Sequence, residues 1–348
     1  METKVASVKR KHLTAVVLAM SIVTSACGGD SDTSETDPEG QRQGGTERNV
    51  RVLMDWFPNP DHIGLYTAQR QGEFARSGLN VTLTPPSNAA DPLKLVASGR
   101  VELGISYEPD VILAAQQRVP VTAVAALIPV PLNSFMAIAG SPVKSPADLA
   151  GRTVGVPGVP SDDLYLQQFV KKYGIDLKSV KKVNVNTSLV SAMLSRKVDA
   201  TIGAYRNIEG VQLAAEGKNP IIIPVTGAGV PTYNELVIVA NRQKLAEDAG
   251  YQDTVRRFLA AVAKGTDIAR RQPAVANASI APVAKGYSPE LIRKMVDATA
   301  PLLANPQGFG RMDPAQWQRF ADWLFQQKAT RAKVDTGPLV SNNYLPAS

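Results

Sequence analysis

Eight residues in this sequence have the types and spacing to recognise a flat, polar small molecule: Trp56, Asn59, His62, Tyr107, Tyr205, Glu209, Tyr233 and Glu235. The four aromatic rings offer π faces, and the other four side chains offer hydrogen-bond donors and acceptors. Only 6% of the chain is aromatic, so several rings close to predicted strand ends form a concentration. Glu209 follows Tyr205 by four residues, a spacing that places both on one face if the segment is helical. Each residue also has a purely structural reading. Trp56 could cap the core above the first strand, and His62 could stabilise its own loop. Glu209 could be a solvated surface acid, and Glu235 could buttress a connection.

The patterns of catalysis are missing. No GxSxG, HExxH or GxxxxGK[ST] motif occurs, and no GxGxxG follows a strand. The chain has one cysteine and two histidines, of which only His62 lies beyond the N-terminal leader. A disulfide framework and a His-based metal cluster are therefore excluded within one chain. The reading is a binding protein, with no cofactor and no catalytic residue.

The first fifty residues explain the cysteine. Lys9-Arg10-Lys11 is a positive n-region, Leu13 to Val23 a short apolar run, and Thr24-Ser25-Ala26 the small residues of a cleavage site. This is a signal peptide over residues 1–26, too short for a membrane-spanning helix of about 20 residues. Cys27 directly after it resembles the lipobox of bacterial lipoproteins, in which that cysteine is acylated. Residues 28–49 contain no aliphatic or aromatic side chain, so residues 27–49 read as a lipidated, disordered tether. The protein is then expected at the outer face of the cytoplasmic membrane or in the periplasm, touching the membrane only through its anchor.

Four basic residues against one acid in residues 1–26 account for part of the net +7. The remaining basic residues intermix with acidic ones, a solvated surface rather than a nucleic-acid stripe.

From Val50 the apolar periodicity changes. Strands are predicted near 50–54, 81–84 and 101–105, with helices at 63–76 and 92–98 between them. The pattern restarts with strands near 153–156, 183–185 and 198–202 and helices at 164–173 and 189–195. Such alternation predicts two α/β units with mostly parallel sheets. A local echo supports the repeat: Ser98-Gly99-Arg100-Val101-Glu102-Leu103-Gly104-Ile105 aligns with Ser195-Arg196-Lys197-Val198-Asp199-Ala200-Thr201-Ile202. Pro129–Asn133 and Val230–Asn234 lie at the unit boundaries and read as crossings. Helices at 252–271, 289–303 and 314–330 are expected to pack back on the first unit. The expected lobes are residues 50–131 with 235–345, and residues 132–234. Ligands of such sheets bind at the carboxyl ends of strands, here Asp55-Trp56, Ser106-Tyr107, the 157–161 loop and Ala204-Tyr205. Hinge closure is the expected motion.

The segment Asp55-Trp56-Phe57-Pro58-Asn59-Pro60-Asp61-His62-Ile63-Gly64-Leu65-Tyr66 resembles the thiamine-pyrimidine-precursor binding proteins of bacterial ABC transporters, in the wider group that includes fungal pyrimidine synthases. The resemblance continues at Gly104-Ile105-Ser106-Tyr107-Glu108-Pro109, at Asp148-Leu149-Ala150-Gly151-Arg152, at Val198-Asp199-Ala200 and at Gly229-Val230-Pro231-Thr232-Tyr233. It spans about residues 50–265. It implies a two-lobed periplasmic-binding-protein type II fold with the ligand cleft between the lobes. It further implies an aminopyrimidine ligand such as hydroxymethylpyrimidine or its formylamino relative, and ABC permease and ATPase subunits as partners of a monomer. The Asp-Leu-Ala-Gly-Arg and Val-Asp-Ala segments are shared by many solute-binding proteins, including those for sulfonates. Alternatives are therefore a sulfonate or other heterocycle, for which Arg206 is the available cation, a pyrimidine synthase, and a ligand-sensing role. His62 matches the histidine that the fungal enzymes consume, while their cysteine-rich motif is absent.

Overall fold

The structure, a computed structural model, describes residues 47–347. The expected signal peptide, Cys27 and the tether up to residue 46 lie outside the described residues. The first strand begins at Arg48, so Arg48 and Asn49 belong to the fold rather than to the tether.

The chain opens with β1 (Arg48–Leu53), β2 (Leu79–Thr84), β3 (Leu103–Ser106) and β4 (Val121–Ile128). Between them run α1 (Ile63–Arg70), α2 (Glu73–Arg76), α3 (Asp91–Ala97) and α4 (Glu108–Ala115). It then crosses to a second sheet of β5 (Asn133–Ala137), β6 (Thr153–Val156), β7 (Lys181–Asn184), β8 (Ala200–Tyr205) and β9 (Ile221–Pro224). There α5 (Asp162–Lys172), α6 (Leu189–Leu194) and α7 (Glu209–Ala215) cover the connections. Finally β10 (Leu236–Asn241) returns to the first sheet.

The strand orders are β2-β1-β3-β10-β4 and β7-β6-β8-β5-β9. The two sheets are built alike. In each, four strands run the same way and one reversed strand is inserted between the third of them and the edge strand. The sheets are mostly parallel in strand direction, as expected, with one reversed strand in each. The reversed strand, β10 in one sheet and β5 in the other, stands fourth in the order and is the strand that arrives through a crossing. The sequence echo falls on equivalent elements: α3 leads into β3, and α6 leads into β8.

Four strands lie outside those predicted; β9 is only partly buried, and the other three share a cause. Every residue of β4, β5 and β10 is buried. A strand buried on both faces reads as an apolar run without alternation. The helix expected over 63–76 is broken where Gly72 takes φ +72°, separating α1 from α2.

Five helices follow: α8 (Arg242–Glu247), α9 (Ala249–Arg271), α10 (Pro273–Ile280), α11 (Pro289–Thr299) and α12 (Pro314–Gln326). Helices α9 and α10 pack on α1 of the first lobe, as expected. Helix α11 also reaches α7 of the second lobe. Helix α12 lies against α4, and its buried Trp317 donates from Nε1 to Asn234 Oδ1 at 2.9 Å, at the returning crossing. The C-terminal helices thus brace both lobes rather than the first alone. Among the described residues, no helix is long and apolar enough to cross a membrane.

Candidate functional site

The loop after β1 is shaped by its own sequence. Asn59 caps the short turn Pro60–His62: its Oδ1 accepts from Asp61 N–H at 2.8 Å, and Pro60 occupies the first position of the turn. The backbone N–H of Asn59 donates in return to His62 Nδ1 at 3.3 Å. An N–H pointing at Nδ1 leaves Nε2 as the protonated nitrogen of the ring. Nε2 then donates to Asp55 Oδ1 at 2.9 Å, and Tyr107 Oη donates to Asp55 Oδ2 at 3.2 Å. Asp55, at the carboxyl end of β1, is held from both sides. Burial and the neighbouring Asp55 push the Tyr107 phenol well up, so it stays a donor.

A second network ties the crossings. Glu235 Oε2 accepts from the backbone N–H of Leu132 at 2.5 Å and of Asn133 at 2.9 Å. Tyr233 Oη donates to the same oxygen at 3.0 Å, and Tyr205 Oη donates to Oε1 at 3.1 Å. Glu235 lies on the returning crossing and grips the outgoing one. Its carboxyl is raised by burial, against the pull of those four donors.

Glu209 closes the far side. Tyr205 is the last residue of β8 and Glu209 the first of α7, so they do not share a helix face as the spacing suggested. The side chain of Glu209 instead curls back, and Oε2 accepts from Tyr205 N–H at 2.7 Å. No hydrogen bond among the described residues occupies its Oε1. Burial pushes this carboxyl up to about 7.

Between these networks lies a narrow cavity of about 30 Å³ in this closed arrangement of the lobes. The first lobe contributes Asp55, Trp56, Asn59 and Tyr107 to its wall. The second contributes Tyr205, Glu209, Asn133 at the start of β5, and Ser161 and Tyr165 at the start of α5. Glu235 lines it from the crossing. Among the described residues, three carboxylates face this space and no lysine or arginine does. Trp56 packs on the cores of both lobes as well as lining the cavity, so the ring is both core and wall.

Six of the eight sequence-selected residues therefore meet at one cavity. His62 and Tyr233 do not line it. His62 is 1% exposed and faces Asp55, and Tyr233 is 1% exposed, stacked on Tyr165 at 6.1 Å. Asn59 lines the wall, yet its amide is engaged with its own loop, Nδ2 donating to Phe57 O at 3.1 Å. Arg206 donates to Pro131 O on the crossing and is not part of the wall.

Sequence reasoning missed Asp55, Asn133, Ser161 and Tyr165 as wall residues. Asp55 and Ser161 belong to the strand-end loops singled out as ligand-facing, and Tyr165 follows Ser161 by one helical turn, a signal that was available. Asn133 carried none. It is placed by the antiparallel register of β5 on β8, with Oδ1 accepting from Gly203 N–H at 3.1 Å.

The lobes touch across the cavity. Asp110 Oδ1 accepts from Ser161 N–H at 2.8 Å. Asn207 Nδ2 donates to Asp61 Oδ1 at 2.6 Å and to Thr299 Oγ1 at 2.8 Å.

Two α/β lobes, two crossings and a cavity between them define the type II periplasmic-binding-protein fold. The alkanesulfonate-binding protein SsuA of Xanthomonas axonopodis pv. citri has this fold, with a TM-score of 0.65 at 16% identity over 84% of this chain and 98% of that one. Within that class the chain belongs to the NMT1/THI5 like family, whose model matches residues 59–276. It is 36% identical to the formylaminopyrimidine-binding protein of Halalkalibacterium halodurans, over 79% of this chain and 84% of the relative. It is 25% identical to a 4-amino-5-hydroxymethyl-2-methylpyrimidine phosphate synthase of Saccharomyces cerevisiae, over 64% of this chain and 68% of that protein.

Proposed function

We propose that this protein captures an aminopyrimidine of the thiamine-precursor type outside the cell and delivers it to an ABC importer. The observation that carries the reading is the wall of the cavity: aromatic rings from both lobes and three carboxylates, with no cation among the described residues. Glu209 Oε1 is the acceptor left for a ligand, because the protein's own donors hold both oxygens of Asp55 and of Glu235. An exocyclic amino group matches that acceptor, and a flat ring matches Trp56 and Tyr205. An anionic sulfonate would meet three acids and no compensating donor cation. The likeness to a formylaminopyrimidine-binding protein supports the same ligand class.

A binding role, not catalysis, fits the placement of His62. Its two ring nitrogens are engaged with Asn59 N–H and Asp55, away from the cavity. We further propose lobes at residues 50–131 with 235–345 and at 132–234, and export with acylation at Cys27. Fatty-acid labelling tests the anchor: label on the wild-type protein and none on Cys27→Ser is expected.

Calorimetry with hydroxymethylpyrimidine, its formylamino relative, thiamine and taurine tests the ligand. A pyrimidine is expected to bind and taurine is not. Binding of taurine alone would refute the ligand class and leave a receptor of another specificity.

A further inference from the structure

Asp61 and Asn207 meet across the lobe boundary, and each keeps one buried polar atom without a partner among the described residues. Asp61 stands on the loop after β1 and Asn207 between β8 and α7. They are 2% and 3% exposed. Asn207 Nδ2 spends its two protons on Asp61 Oδ1, at 2.6 Å, and Thr299 Oγ1, at 2.8 Å. Asp61 Oδ2 and Asn207 Oδ1 are both buried and have no hydrogen-bond partner among the described residues. Both are acceptors as long as Asp61 is ionised, so they cannot satisfy each other. Turning the Asn207 amide over would set its oxygen against Asp61 Oδ1, with Thr299 Oγ1 then donating to it, so an ionised Asp61 would still face an acceptor. One proton on Asp61 Oδ2 supplies the single donor that the pair lacks.

We propose that Asp61 is a proton-operated latch between the lobes: it takes up a proton as they close, and the resulting carboxylic acid–carboxamide pair with Asn207 holds the closed form. The surroundings favour the neutral acid. Burial raises the Asp61 carboxyl well above the usual carboxylate range, and Asp55, Glu209 and Glu235 add like charge. Tyr287, on the connection between α10 and α11, interacts with it as well, and Arg293, Lys294 and Asp297 of α11, the helix packed against the Asp61 turn, are exposed. His62, the next residue, is turned to Asp55. The Asn207–Thr299 bond extends the latch to α11, which thereby grips the second lobe.

The sign follows from linkage. A carboxyl whose pKa is higher in the closed form favours closure at low pH, and that contribution is lost as pH rises through the closed-form pKa. The latch needs only that the lobes open and close, whatever the ligand.

Small-angle scattering of the ligand-free protein at about pH 5.5 and about pH 8.5 reads this directly. The wild type is expected to be compact at the lower pH and extended at the higher. Asp61→Asn carries a permanent donor in place of the proton and is expected to be equally compact at both. Asn207→Ala removes the partner and is expected to be extended at both. Circular dichroism establishes that each variant is folded. A wild type whose radius ignores pH overturns the latch, as does a pH response that survives in Asp61→Asn. If Asp61→Asn does not fold, Asn207→Ala decides alone: a pH response matching the wild type's overturns the latch.

Discussion

Glu209 and Glu235 are buried carboxylates on the same wall, but their hydrogen bonds assign them different roles. Glu235 accepts four protein donors and joins the two crossings. Glu209 accepts one and keeps an oxygen for a ligand. Removing Glu235 strands two backbone N–H groups and two phenols, and each unpaired buried group costs about 1–3 kcal/mol. Glu235→Ala is therefore expected to lower the melting temperature as well as binding. Glu209→Ala is expected to weaken pyrimidine binding by about tenfold or more, roughly the 1.4 kcal/mol of one lost buried partner. Its stability should change far less, since Tyr205 N–H alone loses its partner. Calorimetry and thermal melts on the two variants check the pair, and equal loss of stability in both would contradict this division. The sequence offered Glu235 as a buttress of a connection beside its binding reading, but which acid serves which role is decided by the donors that the crossings bring to them.

At the scale of elements, the loop carrying Asp55, Trp56 and Asn59 depends on how α1 is seated. Helix α1 rests on α9 by a close backbone approach at Gly64 and Gly265. A Cβ at Gly265 would lie 2.4 Å from Gly64 O and 2.5 Å from Ala68 N. The neighbours are backbone atoms, so they cannot turn aside as a side chain would. Gly265→Ala is expected to force the helices apart and destabilise the protein by about 1–3 kcal/mol, the range for overpacking a tight core. A thermal melt measures it, and an unchanged melting temperature would show that α9 shifts freely. A glycine inside an amphipathic helix reads from sequence as a weak point. Its use as a contact surface requires a partner helix some two hundred residues away in the chain.

At the scale of the whole molecule, acids are concentrated along the lobe boundary. Burial pushes Glu108 up to about 8, Asp162 up to about 8 and Asp110 up to about 7. Unfolded, these groups return to the ordinary range near ~4. The folded form holds protons more tightly, so their contribution to stability is complete at low pH and disappears as pH climbs through 7 to 8. The melting temperature is expected to fall between about pH 5 and about pH 9, with a shallower fall in Asp162→Asn. A flat profile in the wild type would mean that water reaches these carboxyls. Ligand closure acts on the same boundary. At a hundredfold excess over the dissociation constant, a ligand that binds only the folded form adds about 2.7 kcal/mol.

Much of this protein was legible in its sequence because the signals are local. Strand–helix alternation, the echo that maps α3–β3 onto α6–β8, and the strand-end aromatics depend on neighbours within a few residues. The turn at Asn59-Pro60-Asp61-His62 is equally local, being a cap that closes on itself. The family resemblance, carried by the same segments, supplied the two-lobed fold. What the tertiary structure alone decided is long-range. The strands β4, β5 and β10 have no alternation, because both of their faces are buried. The inward turn of His62 and Tyr233 depends on Asp55 and Glu235 lying beside them. The Asp61–Asn207 contact joins residues 146 positions apart. A hydrogen bond across a lobe boundary leaves no periodicity in the chain, so only folding brings its two ends together.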